Sequence, residues 1–150
     1  MVWGAFSCKG AGRLHVCEGI INAEKYKSIL QRKMIPQMTD WFPEGDGIFQ
    51  QDGAPAHTAK SVKAFLAQEG IEVLDWPGNS PDLNPIENLW AIMKSRMASQ
   101  TFTNRQQLLE AIIRSWFHDI GQGDMLTNLI KSMPNRLAKV ISAKGGHSGY

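Results

Sequence analysis

Three prolines within nine residues partition this chain of 150 residues. Pro77, Pro81 and Pro85 each lack a backbone N–H and fix φ, so neither a central strand nor a helix interior runs through 77–85. The segment PGNSPDLNP is therefore a loop. Before it lies IEVLDW at 71–76, which reads as a strand. After it, Pro85 suits the first helical position, and Ile86, Leu89, Trp90 and Met93 recur at helical spacing. A helix is expected over 85–98.

The remaining elements follow from the same signals. MVWGAFS and RLHVCEG read as two strands joined at a KGAG turn centred on Ala11. Asn22 suits an N-cap, with a helix running to about Ile35 and Tyr26, Ile29, Leu30 and Met34 on its inner face. Pro36 is expected to loosen or end it. GIFQQD at 47–52 reads as a short strand, central and buried, and GAP breaks it. A helix is expected from Pro55 to about Gln68, with Gly70 ending it. Leu108, Leu109, Ile112, Ile113 and Trp116 mark a later helix, and a last helical stretch covers 124–141 with Pro134 bending or splitting it. The end, AKGGHSGY, reads as a loose terminus. Strand, strand, helix, strand, helix, strand, then helices is the order of an α/β layered domain with an antiparallel hairpin on one side. One domain is expected over 1–150.

Net charge is only +2, but it is unevenly placed. From Lys94 onward eight bases face three acids, leaving five positive charges. Such a tail fits a polyanion partner or a solvated helical face. No apolar run approaches the roughly 20 residues of a membrane span. The start is too short and unflanked for a secretory signal. Centring the hairpin on Ala11 puts Cys17 near Ala5, away from Cys8, so reduced core thiols are expected, which fits an intracellular protein. Two cysteines without paired histidines make no zinc site.

Two carboxylates stand in distinctive frames. Asp52 follows the strand in IFQQDGAPAH, and Glu87 sits in the first turn of the helix after NSPDLNP, with 34 residues between them. Strand ends in such sheets carry function. Two acids on rigid elements suit a pair of hard divalent cations, one activating an attacking oxygen and one stabilising a leaving oxygen in phosphoryl transfer. Each acid also has a local reading. Asp52 before Gly53 is a turn signature. Asn84, Pro85 and Glu87 fit N-cap, N1 and N3 of a capping box. Neighbouring polar residues read as structural: His57 as satisfied or solvent-facing, Asp82 and Asn84 as makers of Asx-turns, Asp75 as a strand residue. Trp90 and Trp116 read as core. Gly145 and Gly146 form no phosphate loop, lacking a strand before them and a helix after.

VWGAFS, FQQDGAPAHTA, DWPGNSPDLNPIENLW and SMPNRLAKVISAKGG together resemble the catalytic region of DDE transposases of the Tc-one/mariner superfamily, over essentially the whole chain. The spacing of 34 with a glutamate as third acid resembles the Tc-one-like branch. The resemblance implies a ribonuclease H-like fold with additional C-terminal helices. It implies that Asp52 is the second catalytic acid and Glu87 the third, and that they bind Mg²⁺ or Mn²⁺. It implies cleavage at transposon ends and attack of the freed 3′-hydroxyl on target DNA, typically at a TA dinucleotide, in the nucleus. The family's first aspartate lies on a first strand upstream of the opening hairpin, and Met1 falls where the second strand begins. Glu18, at the end of a hairpin strand, does not take that role. The family's N-terminal helix-turn-helix region also lies outside these residues.

Two acids where the family uses three leave the activity of this chain alone weak or absent. Two alternatives stand beside the enzyme: a non-catalytic module gripping DNA or another protein through the basic C-terminal helices, and a relic without a role. Without the first strand, the hairpin and the Asp52 strand would expose unpaired edges, so marginal stability, self-association or pairing with a full-length transposase is expected.

Overall fold

The computed structural model describes residues 1–77, 80–120 and 124–146. Part of the 77–85 loop (residues 78 and 79) and the last four residues of the expected loose terminus lie outside the described residues. In chain order the elements are β1 (Val2–Trp3), β2 (Phe6–Ser7), β3 (Gly10–Ala11), β4 (His15–Val16), α1 (Ala23–Ile29), α2 (Ile35–Trp41), β5 (Ile48–Phe49), α3 (Pro55–Thr58), α4 (Lys60–Gln68), β6 (Glu72–Val73), α5 (Pro85–Met97), α6 (Arg105–Arg114), α7 (Met125–Lys131) and α8 (Met133–Ser142). Wider π turns occupy Leu30–Met34 and Ser115–Ile120, and a 3₁₀ turn occupies Pro81–Leu83. The chain forms two compact units: Met1–Ala5 with Arg13–Ser80, and Phe6–Gly12 with Pro81–Tyr150.

In the first unit β1 pairs antiparallel with β4, Val2 opposite Val16 and Trp3 opposite His15. The Cys17 amide donates to the Met1 carbonyl at 2.9 Å, so Cys17 lies by Met1 and not near Ala5. In the second unit β2 pairs antiparallel with β3, Phe6 opposite Ala11 and Ser7 opposite Gly10. The turn is thus centred between Cys8 and Lys9, not on Ala11. Gly10, at φ +140°, supplies a backbone conformation that side chains disfavour. Both cysteines are free, but only Cys17 is buried; Cys8 is exposed on the turn. Burial raises the Cys17 thiol pKa.

The core of the first unit is Tyr26, Leu30, Met34, Phe49, Val62 and Leu66. The expected inner face of α1 is borne out, and the Asn22 side chain caps that helix by accepting from the Lys25 amide at 3.0 Å. Pro36 does not end the helix. The π turn before it takes the strain: the Ile35 amide donates to the Leu30 carbonyl, and the widened turn leaves room for a ring that would collide with the Arg32 carbonyl in a regular helix. Gly47 lets the chain pass under α2, since a Cβ there would lie 2.5 Å from the Phe42 ring and 2.7 Å from Met38.

β5 is shorter than expected and pairs parallel with β6, Ile48 opposite Glu72 and Phe49 opposite Val73. It is not buried throughout: Phe49 is 8% exposed but Ile48 is 53% exposed. The helix expected over 55–68 is broken at Ala59, whose ψ of 138° is extended. Thr58 helps close α3 there, its hydroxyl and amide both donating to the Ala54 carbonyl.

The second unit is built on helices. Leu89 and Met93 of α5 are buried, as are Trp116, Ile120 and Leu126. Trp90 and Trp116 stack at 5.0 Å, and the Trp116 indole donates to the Gly12 carbonyl at 2.8 Å, so both are packing residues as read. The buried stripe of α6 differs from expectation: Leu108 and Ile113 are exposed, and Ala111 is buried instead. The last helical stretch splits at Ser132, with Pro134 in the first turn of α8, where a missing N–H costs nothing. No helix among the described residues is long and apolar enough to cross a membrane.

Candidate active-site carboxylates

Asp52 lies in the loop between β5 and α3, at the carboxyl end of the parallel pair. Its Oδ1 accepts from the Ala54 amide at 3.0 Å, an Asx-turn in keeping with the turn signature of Asp52 before Gly53, and lies 2.6 Å from His57 Nδ1. An ionised carboxylate only accepts, so Nδ1 carries the shared hydrogen. The imidazole stacks on Tyr26 with centroids 4.0 Å apart. The Tyr26 hydroxyl donates to Gln51 Oε1 at 2.7 Å. Burial raises the Tyr26 phenol pKa, and the Asp52 charge adds to it while Trp3 opposes. Tyr26, Gln51 and His57 thus form one bonded cluster behind Asp52, and His57 is satisfied, as read. Asp52 Oδ2 makes no hydrogen bond among the described residues, and the side chain is 52% exposed. One carboxylate oxygen is fixed and the other is open.

Asp75 is not a strand residue. It follows the end of β6, exposed, at the same carboxyl end of the parallel pair that precedes Asp52. Glu18 is exposed, and its carbonyl accepts from Lys25 Nζ at 3.1 Å.

Glu87 belongs to the second unit. Asn84 holds the extended N-cap conformation and Pro85 opens α5, as expected. The capping box does not form: the Asn84 side chain makes no cap bond, and the Glu87 amide donates to the Asn84 backbone carbonyl at 3.0 Å instead. The Glu87 carboxylate is exposed and makes no hydrogen bond or ion pair among the described residues. It is not consumed by closing the helix, while the first turn of α5 holds its backbone.

Both acids offer hard oxygen donors, the chemistry of Mg²⁺ and Mn²⁺ and not of a softer metal. Among the described residues no three histidines, cysteines, aspartates or glutamates group into a metal cluster. Asp52 and Glu87 are each placed within their own unit.

The sequence reading missed Arg136, which it counted only as part of the basic tail. It is 1% exposed. Its Nε donates to Ser132 Oγ at 2.9 Å and a terminal nitrogen donates to the Asp82 carbonyl at 2.7 Å.

The fold is α/β and ribonuclease H-like, that of DDE transposase catalytic domains. Residues 1–109 match the family model described as DDE superfamily endonuclease, and the chain belongs to that family. It is 33% identical over 153 residues to the transposable element Tc1 transposase of Caenorhabditis elegans, a match covering all of this chain and 54% of that protein. The Mos1 transposase catalytic domain with Raltegravir and Mg superposes with a TM-score of 0.86 at 24% identity, over 97% of this chain and 75% of that one. The Mos1 paired-end complex with left transposon end gives a TM-score of 0.85 at 25% identity, over 97% and 44%. The chain spans about half the length of the curated relatives it matches.

Proposed function

We propose that this chain carries the metal-dependent strand-cleaving and strand-transfer core of a DNA transposase, acting on transposon ends and target DNA in the nucleus. Asp52 and Glu87 serve as its metal acids, with Mg²⁺ or Mn²⁺ as the cofactor. The observation that carries the reading is the Glu87 carboxylate, exposed and without a partner among the described residues in the first turn of α5, in a chain of the DDE superfamily endonuclease family. A side chain that neither caps nor pairs is free for a cation.

A bound divalent cation would supply charge neutralisation at the scissile phosphate and a better oxygen nucleophile. The chain's own residues have simpler tasks. The Ala54 amide and His57 fix one oxygen of Asp52, and the other makes no hydrogen bond among the described residues. The first turn of α5 presents Glu87. The relatives that support a DNA substrate are transposases by name, and one neighbour is a complex with a transposon end. Pairing of two copies is part of the same proposal.

The test is Mn²⁺-dependent nicking of a supercoiled plasmid by the chain beside Asp52→Ala and Glu87→Ala. Nicking by the parent and not by either variant is expected. Equal nicking by all three, or DNA binding that survives both substitutions with no cleavage by the parent, would replace this reading with a non-catalytic binding module.

A further inference from the structure

We propose that Arg136 is a positioning residue for Glu87, reaching from the C-terminal helix α8 to fix the turn from which α5 starts. The inference rests on the reading of Glu87 as a metal acid. It gives a task to the segment SMPNRLAKVISAKGG, which the chemistry above leaves unused.

A buried guanidinium is costly unless its hydrogens are bonded. Arg136 bonds across 54 residues of sequence to the Asp82 carbonyl, the middle of the Pro81–Leu83 turn. A second acceptor, Ser132 Oγ, is held in turn, since that hydroxyl donates to the Leu129 carbonyl at 2.6 Å. The break between α7 and α8 therefore aims the guanidinium. From Asp82 the constraint passes along the chain. The Asn84 amide donates to the Pro81 carbonyl at 3.0 Å, closing the turn, and the Glu87 amide donates to the Asn84 carbonyl at 3.0 Å. Buried Leu83 and Pro85 anchor the turn by apolar contact. That contact does not set the direction of a carbonyl; a charged donor at 2.7 Å does. The Asn84 side chain supplies no cap, so the helix start depends on this distant arginine. Two donors in a fixed fork reach two separate acceptors, which the single ammonium of lysine does not reproduce.

The experiment is residue-resolved amide hydrogen exchange together with Mn²⁺ titration, on the chain, Arg136→Lys, Arg136→Met and Glu87→Gln. Ser132→Ala, a milder change that removes one acceptor of Arg136 together with that hydroxyl's own bond to the Leu129 carbonyl, carries the test if an Arg136 variant fails to fold. The Asn84 and Glu87 amides are expected to exchange at least about tenfold faster in both Arg136 variants, with Leu66 in the first unit unchanged. The Mn²⁺ dissociation constant is expected to rise by about tenfold or more. That rise disappears when Glu87→Gln is also present. Faster exchange spread evenly over the molecule overturns the proposal, as does full rescue by Arg136→Lys. Failure of the parent to bind Mn²⁺ through Glu87 defeats the metal reading instead, and exchange at Asn84 and Glu87 still decides the positioning.

Discussion

His57 Nδ1 lies 2.6 Å from Asp52 Oδ1 while the same ring stacks on Tyr26 at 4.0 Å. The histidine is thereby gripped on its face and at its edge, and Asp52 is left with one oriented oxygen and one open oxygen. Protein contacts on the loop and on α3 thus direct the aspartate. The sequence separation of five residues explains how: α3 is a single turn, and it returns His57 to the residue that precedes it in the loop.

Removing the imidazole should therefore loosen Asp52 more than it disturbs the fold. His57→Ala is expected to weaken Mn²⁺ binding and Mn²⁺-dependent nicking by about 10–100-fold, the usual consequence of losing a partner that orients a metal ligand. Titration by calorimetry and a nicking assay check this. Unchanged affinity in a folded variant would show that His57 is a packing residue only.

Tyr26 extends the same cluster into the core. Tyr26→Phe keeps the stacked ring and removes the hydroxyl that donates to Gln51 at 2.7 Å. Gln51 Oε1 then loses its partner in a partly buried place. A loss of about 1–2 kcal/mol in unfolding free energy is expected. Urea unfolding measures it, and a change near zero would mean that water replaces the hydroxyl at no cost.

Much of this arrangement was legible in the sequence. The α1 face, the proline-opened starts of α3 and α5 and the two tryptophans as core follow from spacing and from proline's missing N–H. What was not legible lies where tertiary contacts decide. Nothing local to Pro36 announces that a π turn will absorb it. The turn centre at Cys8–Lys9 depends on pairing that two short strands specify weakly. The sequence Asn-Pro-Ile-Glu fits a capping box in every position, yet the box is absent, and its absence is what leaves Glu87 available. Arg136 was hidden because charge in a basic tail reads as solvated until a partner 54 residues away is known.

His15 gives the chain a pH dependence of known sign. It faces Trp3 across the β1–β4 pair, and burial lowers its pKa from 6.5, with the charges of Lys33 and Arg32 adding to this and Glu18 opposing. The unfolded chain then binds the proton more readily than the folded one. Stability from this group is fully present above the unfolded value and is lost as pH falls from there through the lower folded value. Melting temperature should drop more steeply between about pH 7 and about pH 5 for the parent than for His15→Gln. Parallel curves for the two would assign the acid sensitivity to other groups.

The three asparagine N-caps separate the helix that carries Glu87 from the others. Asn22 and Asn104 each accept an amide hydrogen, from Lys25 at 3.0 Å and from Gln107 at 2.9 Å. Asn84 occupies the same place before α5 and accepts none through its side chain. Asn22→Ala and Asn104→Ala are expected to cost about 1 kcal/mol each, and Asn84→Ala to stay within about 0.5 kcal/mol of the parent. Glu87→Gln should be equally mild, because the carboxylate has no partner to lose among the described residues. Chemical unfolding of the four variants side by side makes the comparison. A loss near 1 kcal/mol for both Asn84→Ala and Glu87→Gln would mean that the capping box forms in solution, and Glu87 would then be a helix-closing residue competing with any metal for its own carboxylate.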